Sequence, residues 1–311
     1  MKRRLVWSAM GAFLATMLTL VVPAQQFYTG KPRFTTFSLR GAVLLTASGI
    51  NDFGTVSGYF TDSSGNFKGF ERTSDGNVHV FTDSASPGYT AAYNINDQGT
   101  VTGQIYVSGQ YSGFLYNHGH FFTYNVPDQP VGTTTAVVGI TNLGQEICGW
   151  VGAPPFSLFQ AYTSSYGKVD IFSVHDSPST FCYGLNNHGS AAGTYIDSSG
   201  ADRGYVRSPG GAITNVDFPG ASKVPGPAPC LTETLAGTVA DGVNDAGTVS
   251  GHFWDNSYNE HGYRRFSNGY YQRFDVPGAY QTGGGNINAV GMVAGHYTNS
   301  SCNNYGFIAS F

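Results

Sequence analysis

A four-residue element, Asn-x-x-Gly, recurs along this chain and constrains its fold more than any other feature. Asn51, Asn96, Thr141, Asn186, Asn244 and Asn288 head six copies, and Gly54, Gly99, Gly144, Gly189, Gly247 and Gly291 close them. The intervals are 45, 45, 45, 58 and 44 residues, the mark of a repeated supersecondary unit. One aliphatic residue precedes each copy (Ile50, Ile95, Ile140, Leu185, Val243, Ile287), and alternating stretches such as Val56-Gly58-Phe60 and Val249-Gly251-Phe253 follow, as strands require. Asn at the first place accepts bonds from the backbone ahead, and Gly at the fourth takes positive φ without steric cost. The element is therefore predicted to be a hairpin turn. A reading of Asn51-Asp52 and Asn244-Asp245 as one acidic site used twice is weakened by Asn187 and Ala289 at the equivalent places.

Each unit continues through a polar loop, such as Asp62-Ser63-Ser64-Gly65, to a third strand that opens with a small residue and an aromatic: Gly69-Phe70, Gly113-Phe114, Ala161-Tyr162, Gly204-Tyr205, Gly262-Tyr263 and Gly306-Phe307. Fourth strands follow from Val78, His120, Lys168, Ala212 and Tyr270, three of them closed by Pro127, Pro219 and Pro277, where a missing N–H on an outer edge costs nothing. Four short strands in about 45 residues is the period of a propeller blade. The chain ends on a third strand, while Arg33 to Ala42 reads as a fourth strand lacking its first three. The expectation is an all-β, six-bladed β-propeller of four-stranded blades, closed by residues 33–42 completing the last blade; a β-solenoid is the alternative. The units run approximately 43–88, 89–132, 133–179, 180–231, 232–280 and 281–311 with 33–42, a single domain over 33–311.

The stretches GINDFGTVSGYF with GFERTSDGNVHVF, and GVNDAGTVSGHF with FDVPGA, resemble the HAF-type extracellular repeat of exported bacterial proteins. The resemblance spans about residues 33 to 311. The third unit departs from it, with Thr141-Asn142-Leu143-Gly144 and one inserted residue in Glu146-Ile147-Cys148-Gly149. The resemblance implies export and repetition; it brings no reaction, ligand or catalytic residue.

Lys2, Arg3 and Arg4 precede an apolar run from Leu5 to Val22, and Pro23-Ala24 follows. Residues 1–24 thus read as a secretory signal peptide, and 25–32 as a short segment ahead of the domain. The mature chain is expected to be a monomer in the periplasm or outside the cell, with no membrane segment. Charged residues make up 11% and aromatic residues 14% of the chain, with a net charge of -4. No Lys/Arg stripe exists to neutralise phosphates, which argues against nucleic acid.

No nucleophile elbow, zinc helix, phosphate loop or dinucleotide fingerprint is present, and no cofactor is expected. His79, His118 and His120 could hold zinc on one rim, but read better as exposed turn residues. His252 and His296 follow a strand glycine at places where other units carry Tyr59, Gln104, Trp150 and Thr194; they are expected to pack between blades. The 58-residue interval exceeds the usual 45 by 13, within PGASKVPGPAPCLTETLAG, and insertions on repeat scaffolds often mark function. Asp202, Arg203, Glu233, Asp255, Glu260 and His261 are expected near it and are the candidate ligand-binding residues. Of the four Cys, Cys182 and Cys230 are expected to pair, leaving Cys148 and Cys302 free. The leading functional expectation is a non-catalytic module for a glycan or protein partner. The alternative is a hydrolase or lyase of an extracellular polysaccharide, with Asp241 at the axial mouth joined by Glu233 and Asp202 as acid and base.

Overall fold

The structure, a computed structural model, describes residues 30–153, 158–227, 230 and 234–311. The expected signal segment 1–24 and Glu233 lie outside them. Pro32–Phe311 forms one compact unit, and the regular elements among its described residues are all strands. Four antiparallel four-stranded sheets are present, together with a larger sheet in which two such arrays are joined by a single parallel bridge between Asp202 and Gly237. Within five of the arrays sequential strands pair, so the repeat unit and the sheet coincide; the sixth combines the two ends of the chain. Arg33–Phe37 pairs antiparallel with Asn304–Ser310, beside Val293–Thr298 and Gln281–Ile287. The N-terminal strand therefore supplies the edge that the last unit lacks.

The turns form as their residues dictate. Asn51 Oδ1 accepts the N–H of Phe53 (3.1 Å) and of Thr55 (2.9 Å), and Gly54 takes a φ of 77°. The Asn also reaches outward. Its Nδ2 donates to the carbonyl heading the next turn: Asn51 to Asn96 (3.2 Å), Asn96 to Thr141 (3.1 Å), Asn186 to Asn244 (3.1 Å) and Asn244 to Asn288 (3.0 Å). Asn288 then donates to Asn51 (3.0 Å), so the series returns to its start. Only Thr141, which has no amide, leaves its rung unmade. A second series caps backbone N–H groups with the equivalent side chain of a neighbouring unit: Asp52 to Asp97, Asp97 to Asn142, Asn142 to Asn187, Asn187 to Asp245 and Ala289 to Asp52. The acidic residues of the repeat are thus joints between units as well as turn residues.

The third-strand aromatics form the core. Phe70, Phe114, Tyr162, Tyr205, Tyr263 and Phe307 are fully buried. The tyrosine hydroxyls among them donate to first-strand carbonyls, Tyr162 to Ala136 (2.9 Å), Tyr205 to Phe181 (2.9 Å) and Tyr263 to Val239 (3.1 Å), which satisfies a polar group that would otherwise be costly to bury.

The disulfides correct the expected pairing. Cys148 bonds Cys182, and Cys230 bonds Cys302, leaving no free cysteine. Cys148 is the residue before a strand glycine. At that place Ser57, Thr102 and Ser250 donate to first-strand carbonyls of the following unit, those of Tyr93, Val138 and Gly285. Cys148 faces the following unit in the same way, where it meets Cys182. Cys230 is left to tie the long connection to the turn at Asn299–Asn303.

Candidate functional site

The first strand of every unit carries a register shift at one place: after Ala47, Ala92, Val137, Cys182, Ala240 and Gly284. A β-bulge re-aims the side chains it frees. The residues three places before each turn head are Ser48, Tyr93, Val138, Tyr183, Asp241 and Gly285, and all six line one cavity of about 240 Å³. Tyr59, His252 and His296, each following a strand glycine, complete its wall. On the turn side a narrower cavity of about 60 Å³ is lined by the Asn and Asp turn residues, and Asn94 and Asn286 belong to both. The repeat thus places one residue per unit in a common cavity, and the sequence varies that residue.

Charge gathers on one side of the larger cavity. His252 Nδ1 lies 2.7 Å from Asp241 Oδ2 and 3.2 Å from the carbonyl of Gly284. Glu260, almost fully buried, stands between two rings, with His252 Nε2 at 3.8 Å and His296 Nε2 at 3.9 Å. Burial alone would lower His252, but Asp241 and Glu260 overcome it and raise its pKa to about 10. Its imidazole is therefore a cation at neutral pH. Burial raises Asp202 to about 7, against the opposing pull of His252. Burial also raises Tyr59, Tyr93 and Tyr183 above the ordinary phenol range, so all three face the cavity as neutral hydroxyls.

The structure divides the candidate residues. Asp241 and Glu260 sit at His252, and Asp202 is close enough to feel it. Arg203 is turned to Asp197 at 2.7 Å. Asp255 and His261 belong to a separate network in which His261 lies 3.2 Å from Asp255 and 2.7 Å from Asp275. His79 and His118 share a surface hollow with Glu71, whereas His120 does not line it. Among the described residues no group of three or more His, Cys, Asp or Glu side chains is placed to hold a metal. His252 and His296, expected only to pack, line the cavity. Tyr93 and Tyr183, at equivalent positions of the repeat, also line the cavity; that equivalence is the sequence signal that marks them.

No family profile and no curated protein matches the sequence. Solved structures do match in shape. TolB from Acinetobacter baumannii aligns with a TM-score of 0.56 at 11% identity over 83% of this chain, which spans 64% of TolB. Aleuria aurantia lectin, in complex with alpha-methyl-L-fucoside, aligns with a TM-score of 0.54 at 12% identity, over 88% of this chain and 93% of the lectin. AofleA from Arthrobotrys oligospora gives 0.52 at 12% identity, over 90% and 87%. Aleuria lectin is described as a six-bladed β-propeller. At these identities the likeness speaks for the fold, and the fold is that of a β-propeller.

Proposed function

We propose that this chain is a six-bladed propeller, closed by its N-terminal strand, that works outside the cytoplasm as a binding module for a saccharide held in the axial cavity. The observation that carries the reading is the cavity wall, where neutral Tyr59, Tyr93 and Tyr183 and the Asp241–His252 pair line one space of about 240 Å³. Aromatic faces with a few fixed polar groups suit a ligand that is apolar on its C–H faces and polar at its rim. Six four-stranded arrays and the return of the asparagine series from Asn288 to Asn51 support the closed ring. Two disulfides fit an oxidising compartment, in keeping with export and with the HAF-type repeat reading.

The test is binding of the mature chain to an array of mono- and disaccharides, beside His252→Ala and Tyr93→Ala. Both substitutions are expected to weaken any bound saccharide about tenfold or more, the effect of losing roughly 1.4 kcal/mol of contact. Retention of binding by both would place the ligand elsewhere.

A second reading, a polysaccharide hydrolase or lyase, draws on Asp241, His252 and Glu260 standing together. The imidazolium state of His252 counts against its use as a base at neutral pH, although a cation there would stabilise a developing anion. Chain-length analysis of neutral and acidic polysaccharides after incubation with the protein decides it: cleavage that His252→Ala abolishes would establish the enzyme.

A further inference from the structure

We infer that the ligand is a neutral polysaccharide chain lying across this end of the propeller, on an aromatic path that passes through the axial cavity. The inference rests on the saccharide reading of that cavity and extends it beyond a single sugar.

The path has two arms. Tyr59, which lines the cavity, packs on Tyr93 (6.2 Å between centroids) and on Phe67 (5.6 Å). Phe67 continues to Tyr89 at 4.7 Å, Tyr89 to Tyr111 at 5.1 Å, and Tyr111 to Tyr106 at 4.8 Å. Exposure grows outward along this arm: the inner rings are half-buried, while Tyr111 and Tyr106 are 38% and 45% exposed. The other arm starts from Tyr183 on the same cavity and stacks on Phe181 at 6.0 Å, which meets Phe159 at 5.5 Å and Trp150 at 6.0 Å. All of these rings are half-buried. Tyr59, Tyr93 and Tyr183 line the same cavity, and the arms meet there.

The chemistry of the path selects the ligand. It consists of partly exposed rings with phenol hydroxyls and carries no charge. The nearest charged pair in sequence, Asp62 and Lys68, is closed on itself at 3.0 Å. Aromatic faces bear negative potential and attract the weakly positive C–H faces of pyranose rings, and tyrosine hydroxyls serve the sugar's own hydroxyls. An anionic polymer would find no cations along the arms, and at the centre it would meet Asp241 and a His252 imidazolium already engaged by Asp241 and Glu260. One arm lies on the first and second units and the other on the third and fourth, so a chain need not end at the cavity. The arrangement fits the interior of a polymer as well as its end.

The test uses the mature protein and neutral β-linked gluco-, xylo- and manno-oligosaccharides of increasing length, with hyaluronan as the anionic control, followed by calorimetry. Affinity should rise with chain length by at least about tenfold from disaccharide to hexasaccharide, and hyaluronan should not bind. Tyr106→Ala with Tyr111→Ala, on the exposed end and outside the core, should remove that gain while leaving the disaccharide and the far-ultraviolet circular dichroism unchanged. If short sugars bind and depend on His252 but length adds nothing, or if the double variant keeps the full gain, the cavity site stands and the path is refuted. If no saccharide of any length binds, both readings fall.

Discussion

At the residue scale the asparagine that heads each turn serves two functions with one amide. Asn244 Oδ1 accepts the N–H of Thr248 at 3.0 Å while its Nδ2 donates to Asn288, and the residue is 6% exposed. Asn244→Ala removes both bonds and strands buried backbone groups, a loss of about 1–3 kcal/mol. Urea unfolding should show it as a lower midpoint at unchanged slope. Asn244→Asp keeps the acceptor but replaces the donor with a carboxylate oxygen facing a carbonyl, and is expected to be at least as destabilising. Asp202 and His252 define a pH dependence. Folding raises Asp202 from its ordinary value to about 7, so the folded state holds an extra proton between about pH 4 and 7, and stability falls as pH rises through that window. Folding raises His252 to about 10; its contribution is complete below its ordinary pKa and fades as pH climbs from there through 10. Thermal melts from pH 4 to 10 should show a continuous decline, and Asp202→Asn should flatten the acidic half alone.

At the element scale the bulged first strands are the devices that make the site. Where two of them approach, Gly184 and Gly242 meet: a Cβ on Gly184 would stand 2.6 Å from the Gly242 Cα. Gly184→Ala must push the first strands of two units apart, at about 1–3 kcal/mol, and should also loosen the cavity, because Tyr183 lies next in the chain. A melt together with saccharide binding measures both effects. The disulfides differ in what they constrain. Cys148–Cys182 closes a 34-residue separation within the core, and Cys230–Cys302 one of 72 residues at the surface. Chain entropy alone would favour the longer loop slightly. The buried pair is also packed at 0% exposure, so replacing it by Ala adds cavity cost. Cys148→Ala/Cys182→Ala should therefore be the more destabilising double variant, and non-reducing peptide mapping should recover these two pairs.

For the whole molecule, the N-terminal strand matters out of proportion to its five residues. Phe34 packs edge-on to Phe307 at 5.7 Å and against Phe274 at 6.4 Å, and Arg33 pairs with Ser310. A chain beginning at residue 43 exposes that edge and its aromatics, and should melt well below the parent and associate in solution. A permutant joining Phe311 to Arg33 through a short Gly-rich link, with new ends in the Asp62–Asn66 loop, keeps every strand pair and should retain the parent melt and its size by light scattering. If the truncated chain were as stable as the parent, the stabilising role of this strand would be refuted.

The sequence determined the period, the turns, the four strands of each unit and a further strand within residues 33–42, of which 33–37 form it, because each depends on local patterning or backbone geometry near one residue; the short pair Gly226–Pro227 with Thr234–Leu235 in the long connection carried no such pattern. It also made Asp241 stand out as a charge among first-strand residues. Tertiary structure decided the rest. Whether Asp241, Tyr93 and Tyr183 face an axis or a neighbouring sheet depends on a one-residue register shift, and strand alternation alone does not reveal where that shift falls. The cysteines follow the same logic: Cys148 meets Cys182 because equivalent positions in successive units face one another, a relation between strands far apart in the chain. His252 became a cation at the site only when Asp241 and Glu260, from other strands, were packed beside it.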